Sequence, residues 1–213
     1  MKLKNALFII ISILFLVACE SESDISAIEQ SFDDYRFAVL NGNGELAYSL
    51  VDQNTKEFYQ KSFNQALNLS KYDTKNLSLL GRFYVVLARH RISPEEFKTM
   101  DGKQFFIHCV EQGWISDDSL LTQSVKVISV KDDFAQTHLL KNEQESPFGF
   151  SFKREGENWH VDLTSAFSIT EKNFSEDAKI KEMTENQFIF ATVGAVSGEK
   201  VTSKVWYPIK QNL

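Results

Sequence analysis

Residues 148–164 read FGFSFKREGENWHVDLT, and this stretch decides the fold. Phe148, Phe150 and Phe152 alternate with Gly149, Ser151 and Lys153. After Glu155-Gly156-Glu157-Asn158, Trp159, Val161 and Leu163 alternate with His160, Asp162 and Thr164. Successive side chains of a strand point to opposite faces, so this two-residue period is that of a half-buried sheet. A two-residue turn at Gly156-Glu157 sets Phe152 opposite Val161 and Phe150 opposite Leu163, making one apolar face. On this parity His160 and Asp162 share a solvated outer face with Ser151 and Lys153, and Lys153 meets Asp162 across the strands.

Working back from the hairpin, two more strands, about 124–131 and 134–140, flank a turn at Asp132-Asp133. With 147–155 and 158–164 they complete a four-stranded antiparallel meander. The first two strands carry apolar residues on both parities, which leaves the direction of His138 open. It is the one histidine whose parity can place it inside the fold, and so the candidate catalytic residue.

Before the sheet the pattern is helical. Ile25, Ile28, Phe32, Tyr35 and Val39 recur at three- and four-residue steps and predict a helix over 24–41, capped by Ser23 or by Ser26 with Glu29. Asn41-Gly42-Asn43-Gly44 stops it. A short helix over 45–50 follows, and Asp52 caps another over 53–68. Further helices are predicted over 74–89, from Ser93-Pro94-Glu95-Glu96, and over 102–113. Behind the sheet, 174–183 reads as helix, and Thr184-Glu185-Asn186-Gln187 is a capping box opening a helix that Gly198 ends. Trp206, Tyr207 and Pro208 read as a terminal clasp. Helices followed by an antiparallel meander make an α+β protein.

At the N-terminus, Lys2 and Lys4 precede an uncharged run from Asn5 to Ala18, the order of a secretory signal. The run is shorter than the ~20 apolar residues a membrane span needs. It ends in Leu16-Val17-Ala18-Cys19, which resembles the lipobox of bacterial lipoproteins. The resemblance implies cleavage between Ala18 and Cys19, acylation of Cys19, and a membrane held through the lipid anchor. Glu20 stands where the inner-membrane retention signal has aspartate, which points to the outer membrane, facing the periplasm. The divisions are then a signal peptide at 1–18, a tether at 19–23, a folded domain at 24–168 and a helical extension at 169–213.

The chain carries 23 basic and 29 acidic side chains; loss of Lys2 and Lys4 leaves 21 against 29, a charge of −8. Such a protein repels nucleic acid, which is excluded as a partner class. Of two cysteines Cys19 is committed, so Cys109 has no disulfide partner. No cysteine–histidine spacing suits zinc, and no phosphate or dinucleotide loop occurs, so neither a metal nor a cofactor is expected.

Helices broken by Asn-Gly-Asn-Gly across Tyr35 to Leu50, and a closing hairpin with Gly156, Trp159 and Val161 in a Gly-x-Trp-x-hydrophobic pattern, resemble the NTF2-like superfamily. The likeness spans about residues 25–165. It implies a curved sheet wrapped into a cone, with any working group inside. The superfamily includes ketosteroid isomerases and scytalone dehydratase, which would keep His, Asp or Tyr there. Arg82 and Arg89, seven residues apart on one helical face, with His90 and Arg91 adjoining, form a candidate anion or partner patch. His108 and Cys109 diverge as helix neighbours. These residues point to a non-catalytic binding or interaction domain, for a protein or a small apolar ligand, with a homodimer through the outer sheet face as a further reading. A proton-transfer isomerase or dehydratase is the alternative.

Overall fold

The computed structural model describes residues 22–115 and 118–209; Ala18, Cys19 and Asp117 lie outside them. The fold is α+β. Helix α1 (22–40) is followed by α2 (Gly44–Leu50), α3 (Gln53–Asn68), α4 (Lys71–Lys75), α5 (Leu79–Arg91), α6 (Pro94–Thr99) and α7 (Gly102–Glu111). The sheet comprises β1 (Gln123–Lys131), β2 (Phe134–Lys141), β3 (Gln144–Glu145), β4 (Ser151–Glu155) and β5 (Asn158–Asp162). Then come α8 (Phe167–Ile180) and α9 (Glu185–Ser197).

Several helix boundaries follow from local chemistry. Asp52 accepts from the Thr55 N–H at 2.9 Å and starts α3. Capping boxes open α6 and α9, and Gly198 closes α9 in the left-handed conformation at φ 70°. The helix expected over 74–89 is instead two, because Ser78 turns its side chain back to the Gly81 N–H and begins α5 afresh. Ser23 and Ser26 lie inside α1, which is already helical at residue 22, so neither caps it.

The strands run in the order β1-β2-β4-β5, all antiparallel, with β3 paired to the end of β2. The hairpin has the expected register: Phe152 opposes Val161 and Glu155 opposes Asn158 across Gly156-Glu157. It stops one pair short of the expected Phe150–Leu163 match. The Asp162 carboxylate takes the N–H groups of Thr164 and Ser165, which turns the chain into a 3-10 helix at Leu163–Ala166 and on into α8 seven residues earlier than expected. Asp162 is therefore buried, where the sequence suggested a solvated residue. Lys153 does not meet it either; it opposes His160 and points its ammonium to Asp52 at 3.5 Å.

The mixed parity of β1 has a physical cause. The register slips between Val127 and Ser129, so Ile128 is an extra residue, and the inward set changes from Val125 and Val127 to Val130. On β2, Ala135 and Thr137 are buried, which sends His138 to the opposite face. Residues 146–150 run beside β2 outside the named strands, with Thr137 N–H bonded to the Phe150 carbonyl and Leu139 N–H to that of Phe148. Gly149 makes this approach sterically feasible, since a Cβ there would sit 2.1 Å from the Thr137 carbonyl oxygen.

Two apolar clusters fill the molecule. One lies between the helices and the inner sheet face, with Ile28, Phe32, Tyr59, Phe105, Phe106, Phe152 and Val161 fully or almost fully buried. The other joins Val86 and Leu87 of α5 to Ile189 and Val193 of α9 and to Val205 and Trp206 of the tail. Trp206 stacks on Phe190 at 5.4 Å, so the expected clasp packs on α9.

Candidate ligand cavity

Three tyrosines from three helices meet in the first cluster. The repeat of α1 turns Tyr35 inward, α3 supplies Tyr59, and α5 supplies Tyr84. Together with Phe150, Leu163 and Phe167 they line a cavity of about 250 Å³ between the helices and the sheet. Phe167, at the start of α8, packs edge-on against Phe58 at 4.5 Å and forms part of the wall. Leu120 and Thr170 complete the lining, and Thr170 is exposed. Phe167 and Thr170 belong to this lining because α8 begins directly after the turn that ends the hairpin.

The polar centre is the Tyr59–Tyr84 hydroxyl contact, 3.2 Å between oxygens. Burial pushes all three hydroxyls up from their ordinary value, Tyr84 to about 12. For Tyr84 the bond from Tyr59 pulls the other way, and burial wins. At neutral pH these groups are uncharged. One hydrogen lies between the two oxygens and the other O–H remains free to donate. Among the described residues lining the cavity none is a carboxylate or a histidine. The chemistry on offer is a hydrogen bond inside an apolar box.

His138 lies elsewhere. Its Nδ1 contacts a carboxylate oxygen of Glu145 at 2.7 Å on the outer sheet face, and Lys126 holds the other oxygen at 2.6 Å. Hydrogen bonds from Lys126 first and His138 second hold the Glu145 carboxyl below its ordinary value. This face borders a larger, more open groove of about 570 Å³, lined by His138, Phe148, Ser168 and Lys172 among others. The direction of His138, open in the sequence, is set outward by the register of β2.

The four residues read as an anion or partner patch make contacts within the chain. Arg82 bonds Asn186 at 2.7 Å and also pairs with Glu185. Arg89 donates to the carbonyls of Gln65, Ala66, Leu69 and Val205 at 2.7–3.1 Å and to the Thr74 hydroxyl at 3.2 Å. The first three carbonyls belong to the end of α3, where a helix leaves acceptors unpaired and its dipole favours a cation. Burial pulls the Arg89 guanidinium down to about 10, so it stays charged at neutral pH. His90 contacts Ser197 at 3.0 Å, and Arg91 lies over the Trp114 ring at 4.8 Å. Three of the four fasten α5 to α9 or to the C-terminal tail.

Cys109 is fully buried with its thiol pushed well up by burial, which makes it a poor nucleophile. His108 meets the Trp114 ring edge-on at 4.9 Å, and burial lowers its pKa. Periodicity placed Tyr35 on an apolar face without joining it to Tyr59 or Tyr84. The one available signal was a hydroxyl on an aromatic ring where phenylalanine would serve the core equally well.

No known protein family, curated protein or solved structure matches the chain. Among the described residues no helix is long and apolar enough to cross a membrane, and no group of three or more His, Cys, Asp or Glu stands ready for a metal ion.

Proposed function

We propose that the chain is an envelope lipoprotein of the outer membrane, acylated at Cys19 after cleavage behind Ala18, whose NTF2-like cone binds a small, mostly apolar molecule bearing one hydrogen-bonding group. The observation that carries this reading is the half-open tyrosine cavity. Its volume is just under the ~300–1,000 Å³ of drug-sized sites, so the ligand is compact. An apolar body replaces empty space against Phe150, Leu163 and Phe167, and a hydroxyl or carbonyl meets the free O–H of the Tyr59–Tyr84 pair. A charged ligand is disfavoured, because nothing in the described lining repays the loss of its hydration. A proton-transfer enzyme of the superfamily type needs a base in the cone. The groups lining this cavity are hydroxyls held protonated, which favours binding over catalysis.

The fluorescent alcohol 2-naphthol is a suitable probe for titration of the full chain. Saturable binding is expected, weakened several-fold by Tyr84→Phe and abolished by Ala166→Phe, which puts a ring into the cavity wall. Equal affinity in Ala166→Phe at preserved thermal stability would sink the assignment.

A further inference from the structure

Three irregularities of the sheet meet at the groove on its outer face. The slip after Val127 leaves Ile128 as an extra residue of β1, 46% exposed. Gly149 lets the segment before β4 close on β2, and its neighbour Phe148 stands 50% exposed. The Asp162 turn then starts α8 beside them, where the Ser165 hydroxyl, in place of a strand, takes the Ser151 N–H at 2.9 Å. Ile169 of α8 adds a third apolar side chain to the lining. Bulges and closely approached glycines re-aim side chains, and bulges gather next to functional sites. The groove they border holds about 570 Å³, within the ~300–1,000 Å³ of small-molecule sites.

The polar groups of the groove differ from one wall to the other. His138 contacts Glu145 through Nδ1, and a carboxylate only accepts, so Nδ1 carries the hydrogen. Lys126 takes the other Glu145 oxygen, and that carboxylate is fully engaged. Nε2 of the neutral imidazole is left as an acceptor, with no partner among the described residues. On α8, Ser168 and Lys172 are four residues apart and share a face that lines the groove. The Ser168 hydroxyl has no partner among the described residues, and Lys172 has only Glu176, exposed and 3.9 Å away. None of the described lining residues is a carboxylate, in a chain of net charge −6. The geometry points to this groove as a second binding site, for a small flat acid. Its carboxylate meets Lys172 and Ser168, its ring lies on Ile128, Phe148 and Ile169, and its hydroxyl donates to His138 Nε2. The tyrosine cavity turns such a ligand away, because its lining holds no cation. The two sites sort ligands by charge, and neither assignment depends on the other.

The probe is 6-hydroxy-2-naphthoate, fluorescent like 2-naphthol, titrated into the full chain. Saturable binding is expected, weakened about fivefold or more by Lys172→Met and by His138→Ala. The parent 2-naphthoate, which lacks the hydroxyl, should lose affinity with Lys172→Met and be indifferent to His138→Ala. Lys172 is exposed and His138 partly so, and a melting curve of each variant checks that it folds. Ala166→Phe should leave the acid bound while 2-naphthol is lost, which keeps the fate of this site separate from that of the cavity. Unchanged affinity in Lys172→Met, an absence of saturation, or displacement of the acid by 2-naphthol overturns the second site. An equal response of both acids to His138→Ala overturns the hydroxyl contact. A dimer in light scattering that Phe148→Asp dissociates also overturns the site, since a second copy then covers the groove.

Discussion

The two sides of α5 bury side chains of similar size to different ends. Toward the sheet, Val85 and Ala88 join a cluster rich in aromatic rings, three of them tyrosines around a half-open cavity. Toward the C-terminus, Val86 and Leu87 meet Ile189, Val193, Val201, Val205 and Trp206, a cluster without a hydroxyl. Polar contacts on that second side sit at the margins, where Arg82, Arg89 and His90 reach α9, the tail and the end of α3. The difference teaches that the C-terminal extension is a second core sealed by charged side chains, while the first core keeps its polar atoms inside.

The largest expected effect comes from the seal. Arg89→Ala leaves the Ala66, Leu69 and Val205 carbonyls without its guanidinium, while Gln65 keeps the Leu69 N–H, and a loss of roughly 3–5 kcal/mol is expected from urea midpoints. Arg89→Lys should recover only a minor share, because one ammonium cannot match the guanidinium fork. A loss under ~1 kcal/mol for the alanine variant would mean the seal is ornamental.

Next comes the second core itself. Ile189 is fully buried, and Ile189→Ala should cost about 2–4 kcal/mol. Hydrogen exchange should then rise first across 167–209, with β4 and β5 still protected. Simultaneous loss in both regions would show a single cooperative unit and erase the contrast.

The first core is sharpened by pH. Unfolded Tyr84 ionises near its ordinary value of 10.0, whereas the folded group keeps its proton to about 12. Between those values the native state binds more protons than the unfolded state, so stability falls as pH rises. The contribution is on the order of 2 kcal/mol. It is complete below pH 10 and lost progressively toward pH 12. Tyr84→Phe should lessen the fall over that range without abolishing it, since burial also raises Tyr35 and Tyr59, and at neutral pH cost ~1 kcal/mol by leaving the Tyr59 hydroxyl without its partner. Unaltered alkaline sensitivity in the variant would place the titrating groups elsewhere.

The smallest effect belongs to the outer sheet face. His138 is partly exposed, and its pairing with Glu145 is a surface contact. His138→Ala should change stability by less than ~0.5 kcal/mol and leave 2-naphthol affinity as it was. A several-fold drop in affinity would move the site from the tyrosine cavity to the groove on the outer sheet face.

Much of the framework was legible because it depends on neighbours in the chain. The Gly156-Glu157 turn, the Phe152–Val161 pair, the Asp52 cap and the Thr184 box are each written within a few residues. The β1 bulge was not, because one extra residue flips the parity and nothing in the apolar pattern marks which residue it is. Asp162 looked like an outward residue of a strand. Its choice to bond Thr164 and Ser165 ended that strand and put the start of α8 in the cavity lining. Arg82 and Arg89 were correctly placed on one helical face, but the face turned out to meet other parts of the chain.

The sequence by itself determined the α+β class, the hairpin register, most helix starts and the apolar faces, since periodicity and capping act over one or two turns. It also carries the signal-like start and the Cys19 motif as patterns of neighbouring residues. Only the tertiary structure decided that Tyr35, Tyr59 and Tyr84 share one cavity, that His138 faces outward, and that Arg89 closes the end of α3. Those outcomes depend on how separate elements pack, and a side chain's partner across 20 or more residues is set by that packing and by no local rule.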